Sequence, residues 1–71
     1  MKFVQCNGHI LNSANIIEIA VYNYTNSRGQ IIDYSLCAIM NSTEFRIDLI
    51  EHSDKATIDA AMADLLNQLN A

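Results

Sequence analysis

The chain has 71 residues and reads as one domain, 1–71, near the lower size limit, where only about 60% of the unfolded surface can be buried. A hydrophobic fraction of 51% against 17% charged residues argues against a disordered chain. A net charge of −4, with Lys2, Arg28, Arg46 and Lys55 as the only cations, argues against non-specific nucleic-acid binding, which draws its energy from cations that displace phosphate counterions.

Lys2 to Cys6 reads as a short strand, and Asn7-Gly8 is the strongest two-residue hairpin signal. That turn sets Cys6 opposite His9, Gln5 opposite Ile10 and Val4 opposite Leu11. Either face of the hairpin could look inward, since Val4, Cys6 and Leu11 share one and Phe3, Gln5 and Ile10 the other. Asn12 to Asn15 breaks the pattern. Ile16 to Thr25 resumes it with β-branched and aromatic residues, Ile17, Ile19 and Val21 on one face and Glu18, Ala20, Tyr22 and Tyr24 on the other.

Asn26 to Gly29 is a turn, with Gly29 free to take a positive φ. Gln30 to Met40 alternates again, and Asn41-Ser42 turns the chain into Thr43 to Ile50, whose alternation is the cleanest: Phe45, Ile47 and Leu49 against Glu44, Arg46 and Asp48. His52 marks a corner, Ser53 is the expected N-cap, and Asp54 falls in the positive first turn of a helix. From Thr57 to Ala71, the residues Ile58, Ala61, Met62, Leu65, Leu66 and Leu69 form one stripe at helical spacing. A helix that one-sided must bury its stripe, and the strands before it are the available surface.

Pairing the strands as successive hairpins predicts three inward rows: Val21 with Tyr34 and Leu49, Ile19 with Leu36 and Ile47, and Ile17 with Ala38 and Phe45. Outward rows are Tyr22 with Asp33 and Ile50, Ala20 with Ser35 and Asp48, and Glu18 with Cys37 and Arg46. The expected fold class is α+β: an antiparallel β-meander of four to five strands with one C-terminal amphipathic α-helix packed on one face. One helix covers one face, and the outer face is more apolar than a solvent-facing sheet usually is. Isologous pairing into a homodimer is the common solution.

Catalysis and metal binding find little support. Cys6-Asn7-Gly8-His9 is a C-x-x-H that Cys37 and His52 could complete to four zinc ligands, but Cys37 falls mid-strand and His52 at a corner, so no metal site is expected. Cys37 beside Glu18 and Arg46 has no histidine base. With Gly8 and Gly29 as the only glycines there is no phosphate-binding loop, so no cofactor and no enzyme activity are expected.

No apolar run is long enough to span a bilayer and the chain starts on strand-like sequence, so no membrane association and a cytoplasmic location are expected. Cys6 and Cys37 should then be reduced thiols in small apolar roles. The two glycosylation sequons, Asn23-Tyr24-Thr25 and Asn41-Ser42-Thr43, read as chance matches.

The functional expectation is a small non-enzymatic protein-interaction module, homodimeric through the open sheet face and binding another protein. Tyr22, Tyr24, Ile31, Asp33, Ile39, Arg46 and Asp48 are its interaction residues. An alternative is an acidic regulator that occupies the basic cleft of a nucleic-acid-binding protein, using Glu44, Asp48, Glu51, Asp54, Asp59 and Asp64, which gather in the last third of the chain. A second is a single-stranded nucleic-acid binder that stacks bases on Tyr22 and Tyr24, a platform that normally needs a basic surround.

Overall fold

The computed structural model describes residues 2–41 and 46–71. It is α+β, with five antiparallel strands in two sheets followed by one C-terminal helix. Strands β1 (Phe3–Cys6) and β2 (His9–Asn12) form the hairpin expected from Asn7-Gly8. Asn7 has φ 47° and Gly8 φ 83°, the pair of positive values that a two-residue turn with the natural strand twist requires. Val4, Cys6 and Leu11 are buried, whereas Phe3 and Ile10 are 58% and 66% exposed. The face carrying Phe3 and Ile10 also carries Gln5 and Asn12, whose amides would lose water if it were buried.

The hairpin does not continue into a single meander. Asn12 Oδ1 accepts from the Ala14 amide at 3.1 Å and starts a 3₁₀ turn, Ser13–Asn15. The Ser13 amide and hydroxyl both donate to the Lys2 carbonyl, at 2.9 and 3.0 Å. These bonds close the hairpin on itself, and the next strands form a separate three-stranded sheet.

That sheet has the order β3 (Ile16–Thr25), β4 (Ile31–Met40), β5 (Arg46–His52). Its loop closes on Asn26 and Gln30, with Asn26 Oδ1 accepting from the Arg28 and Gln30 amides and Gly29 at φ 79°. A bulge then leaves Ile32 unpaired. The two effects slide β4 by two residues, so that Val21 faces Leu36 and Ile19 faces Ala38, where Tyr34 and Leu36 were expected. A slip of two keeps every side chain on its expected face.

Two further bulges do change faces. Ile17 is unpaired between the Ile16/Met40 and Glu18/Ile39 pairs. As a result Ile16 packs on the core and Ile17, expected on the inward face, is 62% exposed. Leu49 is unpaired between Asp48/Cys37 and Ile50/Leu36. Leu49 and Ile50 therefore both turn to the core, and Ile50 leaves the outward row in which it was expected. Phe45, Glu44 and Thr43 lie outside the described residues, and with them the expected contact of Phe45 with Ile17 and Ala38.

The helix, α1 (Lys55–Asn70), starts two residues earlier than its stripe. Asp54, not Ser53, is the N-cap: its Oδ1 accepts from the Ala56 amide at 3.2 Å and its Oδ2 from the Thr57 hydroxyl at 3.2 Å. The His52 ring fixes the entry, Nδ1 accepting from the Asp54 amide at 2.9 Å. Ile58 and Leu65 are fully buried, and Ala61, Met62 and Leu69 pack beside them against Val4, Leu11, Leu36, Met40 and Leu49. Leu66, at the edge of the stripe, is 43% exposed. No helix among the described residues is long and apolar enough to cross a membrane.

Candidate interaction face

Two features of the molecule could carry function: the sheet face away from the helix, and a groove between the first hairpin and the helix. On the open face β4 presents only small side chains at its centre, Ser35 and Cys37, and both are fully buried because longer side chains from β3 and β5 close over them. The outward rows are Tyr22 with Ser35 and Glu51, Ala20 with Cys37 and Asp48, and Glu18 with Ile39 and Arg46. In each row the β4 member differs from expectation by the same two-residue slip, whereas on β5 Asp48 and Arg46 stand in their expected rows and only Ile50 is replaced, by Glu51, beyond the Leu49 bulge.

Asp48 is the polar centre. Its Oδ1 accepts from Cys37 Sγ at 3.0 Å and from the Ser35 hydroxyl at 3.4 Å, and the Ser35 oxygen and Cys37 sulfur are 3.3 Å apart. Burial pushes the Cys37 thiol up from its ordinary 9.0, and the hydrogen bond to Asp48 pushes it further. The thiol is therefore a protonated donor at neutral pH, which is the opposite of an activated nucleophile.

Arg46 links β5 to β3 across this row. Its Nε lies 3.3 Å from Asp48 Oδ1, its guanidinium carbon is 4.7 Å from the centroid of the Tyr22 ring, and Nη2 donates to the Tyr24 hydroxyl at 3.3 Å. Asp48, and after it Tyr24, holds the guanidinium pKa above its ordinary value. The Arg46 and Asp48 side chains are nevertheless 42% and 53% exposed, so the network is held in place and still presented to solvent.

Four residues named from the sequence, Tyr22, Tyr24, Arg46 and Asp48, thus come together. Ile39 sits half-buried beside Arg46 in register. Asp33 faces Tyr24 toward the far end of the ribbon. Ile31 lies beyond the Ile32 bulge, opposite Thr25 and 47% exposed, outside the network. Ser35 and Cys37 complete the site and were not named for it. The sequence signal for them is small polar or polarisable side chains at consecutive outward positions of a central strand.

The groove has a volume of about 580 Å³ and is lined by Cys6, Asn7, Gly8 and Ile50 on one side and Asp64 and Gln68 on the other. Burial, and then the charge of Asp64, raises the Cys6 thiol. Asn7 Nδ2 donates to the Leu49 carbonyl at 2.9 Å and so ties the hairpin turn to β5. Cys6 does face His9, yet no group of three or more His, Cys, Asp or Glu side chains among the described residues converges as metal ligands would.

Of the acids of the acidic-regulator reading, Asp48 is held by Arg46 and three more are engaged locally, while Glu51 is exposed. Asp54 caps the helix, Asp59 pairs with Lys55 at 3.3 Å, and Asp64 accepts from Gln68 at 2.9 Å. Glu44 lies outside the described residues. No protein-family model matches the chain, and comparisons with curated proteins and with solved structures return no match.

Proposed function

We propose that this chain is a small, non-enzymatic protein-interaction module of the cytoplasm, which binds another protein through its open sheet and homodimerises there. The observation that carries this reading is the Arg46 guanidinium, stacked on Tyr22 and bonded to Tyr24 and Asp48 while 42% of its side chain stays exposed. Arginine and tyrosine are the residue types that dominate binding energy at protein interfaces, and here their positions are fixed before any partner arrives. Little side-chain entropy remains to be lost on binding. The buried, protonated Cys37 thiol adds to the case for recognition and against nucleophilic chemistry.

The test is light scattering across a concentration series, comparing the wild type with Tyr22→Ala/Arg46→Glu. A wild-type dimer that the double variant disperses, with an unchanged circular dichroism spectrum, is the expected result. Equal masses for the two proteins would remove the reading. Repeating the series at high salt separates it from the acidic alternative, because screening near 1 M salt shortens to about 3 Å and dissolves a contact made of exposed charges.

A further inference from the structure

The groove between the first hairpin and the helix has walls that are tied together. Asn7 Nδ2 donates to the Leu49 carbonyl at 2.9 Å and pins the hairpin turn to β5. Gln68 holds β1 to the helix, its Oε1 accepting from the Gln5 amide and its Nε2 donating to the Gln5 carbonyl, both at 2.7 Å. The separation of the walls is therefore set before anything enters, which lowers the cost of ordering a ligand there. A volume of about 580 Å³ falls within the range of small-molecule sites. The apolar part of the lining comes from Ile50 and Ala61, both half-buried, and from Cys6 at 8% exposure.

Asp64 is the only lining side chain that is charged at neutral pH. It stands one helical turn from Ala61 and one from Gln68, on the same side of α1. Its Oδ2 accepts from Gln68 Nε2 at 2.9 Å, whereas its Oδ1 has no hydrogen-bond partner, and neither oxygen pairs with a cation, among the described residues. The carboxylate is near enough to the groove wall to raise the Cys6 thiol, adding to the effect of burial. The field that disfavours a thiolate there also repels an anionic ligand and attracts a cationic one.

We propose that this groove is a second binding site, for a small organic cation: an ammonium group bonded to Asp64 Oδ1, with an apolar body laid over Ile50, Ala61 and the Cys6 sulfur. An ammonium group brings the donors that the unpartnered oxygen lacks, in a charge-assisted hydrogen bond. Asp64 is exposed, so the pair forms at the rim and neither charge has to be buried. A cation without an apolar body would leave the Ile50 and Ala61 surface wet and use only half of the lining. The site lies on the helix side of the three-stranded sheet, across from Tyr22, Arg46 and Asp48, so it can be occupied whether or not the open face is engaged.

The test is an NMR titration of the isotope-labelled full chain with three probes of similar shape and different charge: phenethylamine, cationic at neutral pH, neutral 2-phenylethanol, and anionic phenylacetate. Phenethylamine should shift the amides of Cys6, Asn7, Gly8, Ile50 and Asp64 saturably, with a dissociation constant on the order of 1 mM for a ligand of this size. The alcohol should bind about three- to tenfold more weakly, and phenylacetate should leave these amides in place. Asp64→Asn keeps the side-chain shape and an acceptor for Gln68, and should bring phenethylamine down to the affinity of the alcohol. Equal affinity of amine and alcohol for the wild type, or of wild type and Asp64→Asn for the amine, overturns the proposal. So do shifts that spread to Asp33, Glu51 and Asp59 and rise without saturating, which are general attraction to a chain of net charge −4. Intermolecular nuclear Overhauser effects from the phenyl protons to the Ile50 and Ala61 methyl groups are expected in the saturated wild type, and their absence rejects the placement of the apolar body. None of these outcomes bears on self-association through the open face, which light scattering reads separately.

Discussion

The Cys37 thiol donates to Asp48 Oδ1 across 3.0 Å, from a position with no solvent exposure, so the open face is anchored by a proton that the thiol must keep. Cys37 and Cys6 both have pKa values raised above 9.0, by burial first, with Asp48 and Asp64 adding to it respectively. A thiol raised in the folded state contributes stability that is fully present below the unfolded value and is lost as pH rises toward the folded one. Unfolding free energy should therefore decline above pH 9, each thiol contributing up to about 1.4 kcal/mol per pH unit. Denaturant titrations of wild type and Cys37→Ser between pH 7 and 11 check this. The serine variant should lose about half of the thiol-dependent slope, and identical slopes would mean that Cys37 ionises as easily folded as unfolded.

Leu65 and Leu66 are neighbours in one hydrophobic stripe, but only Leu65 is fully buried, while Leu66 is 43% exposed. Leu65→Ala should cost about 2–5 kcal/mol, the range for a buried leucine whose surroundings collapse only partly. Leu66→Ala should stay near 0.5 kcal/mol, as substitutions on an exposed flank do. Equilibrium urea unfolding of the two variants decides, and comparable losses would mean that Leu66 is covered in solution, which an interface on that flank of the helix would do.

At the other end of the helix the cap belongs to Asp54 and not to Ser53. Asp54→Ala removes acceptors from the Ala56 amide and the Thr57 hydroxyl and should cost about 1 kcal/mol. Ser53→Ala should change stability by only a few tenths of that, because Ser53 makes no hydrogen bond among the described residues. Thermal melts of both variants, read by circular dichroism, rank the two caps directly.

How much of this was legible in the sequence follows from which interactions are local. Asn7-Gly8 fixes its turn by backbone sterics alone, and the helix stripe repeats a period that nothing else in the chain produces, so both were found where expected. Tyr22, Tyr24, Arg46 and Asp48 came out on one face although the register was off by two, because a slip of two does not change faces. The bulges at Ile17 and Leu49 were missed. At each the period of two gives way to an apolar doublet, Ile16-Ile17 and Leu49-Ile50, but a doublet does not say which of its members turns inward, and that is decided by packing against the rest of the core. The break between the two sheets is read from the Asn12 cap and the two hydrogen bonds that Ser13 donates to the Lys2 carbonyl, which become visible only once the hairpin end is built. Ser35 and Cys37 were placed on outward rows but not among the interaction residues, because their importance is that they are small enough to be covered.

The first strand and the last turn of the helix are clasped by two side chains, Lys2 and Gln68, and the clasp makes a prediction of its own. Lys2 Nζ donates to the Gln68 and Leu69 carbonyls at 3.1 and 3.2 Å and also to the Ala71 carbonyl, placing a cation where the helix dipole is negative and the carbonyls lack partners. Gln68 meets the β1 edge as a neighbouring strand would. Lys2→Met keeps the side-chain length and removes the charge, so it should cost about 0.3–1 kcal/mol at low ionic strength, with the difference from wild type shrinking as salt is added. Gln68→Leu leaves the Gln5 amide and carbonyl to water and should cost about 0.5–1.5 kcal/mol without that salt dependence. Hydrogen exchange at the Gln5 amide separates the two. It should quicken strongly in Gln68→Leu, where its acceptor is gone, and only modestly in Lys2→Met, where the acceptor remains but the helix end frays. Unchanged exchange in Gln68→Leu would mean that the edge of β1 is covered by something other than this glutamine.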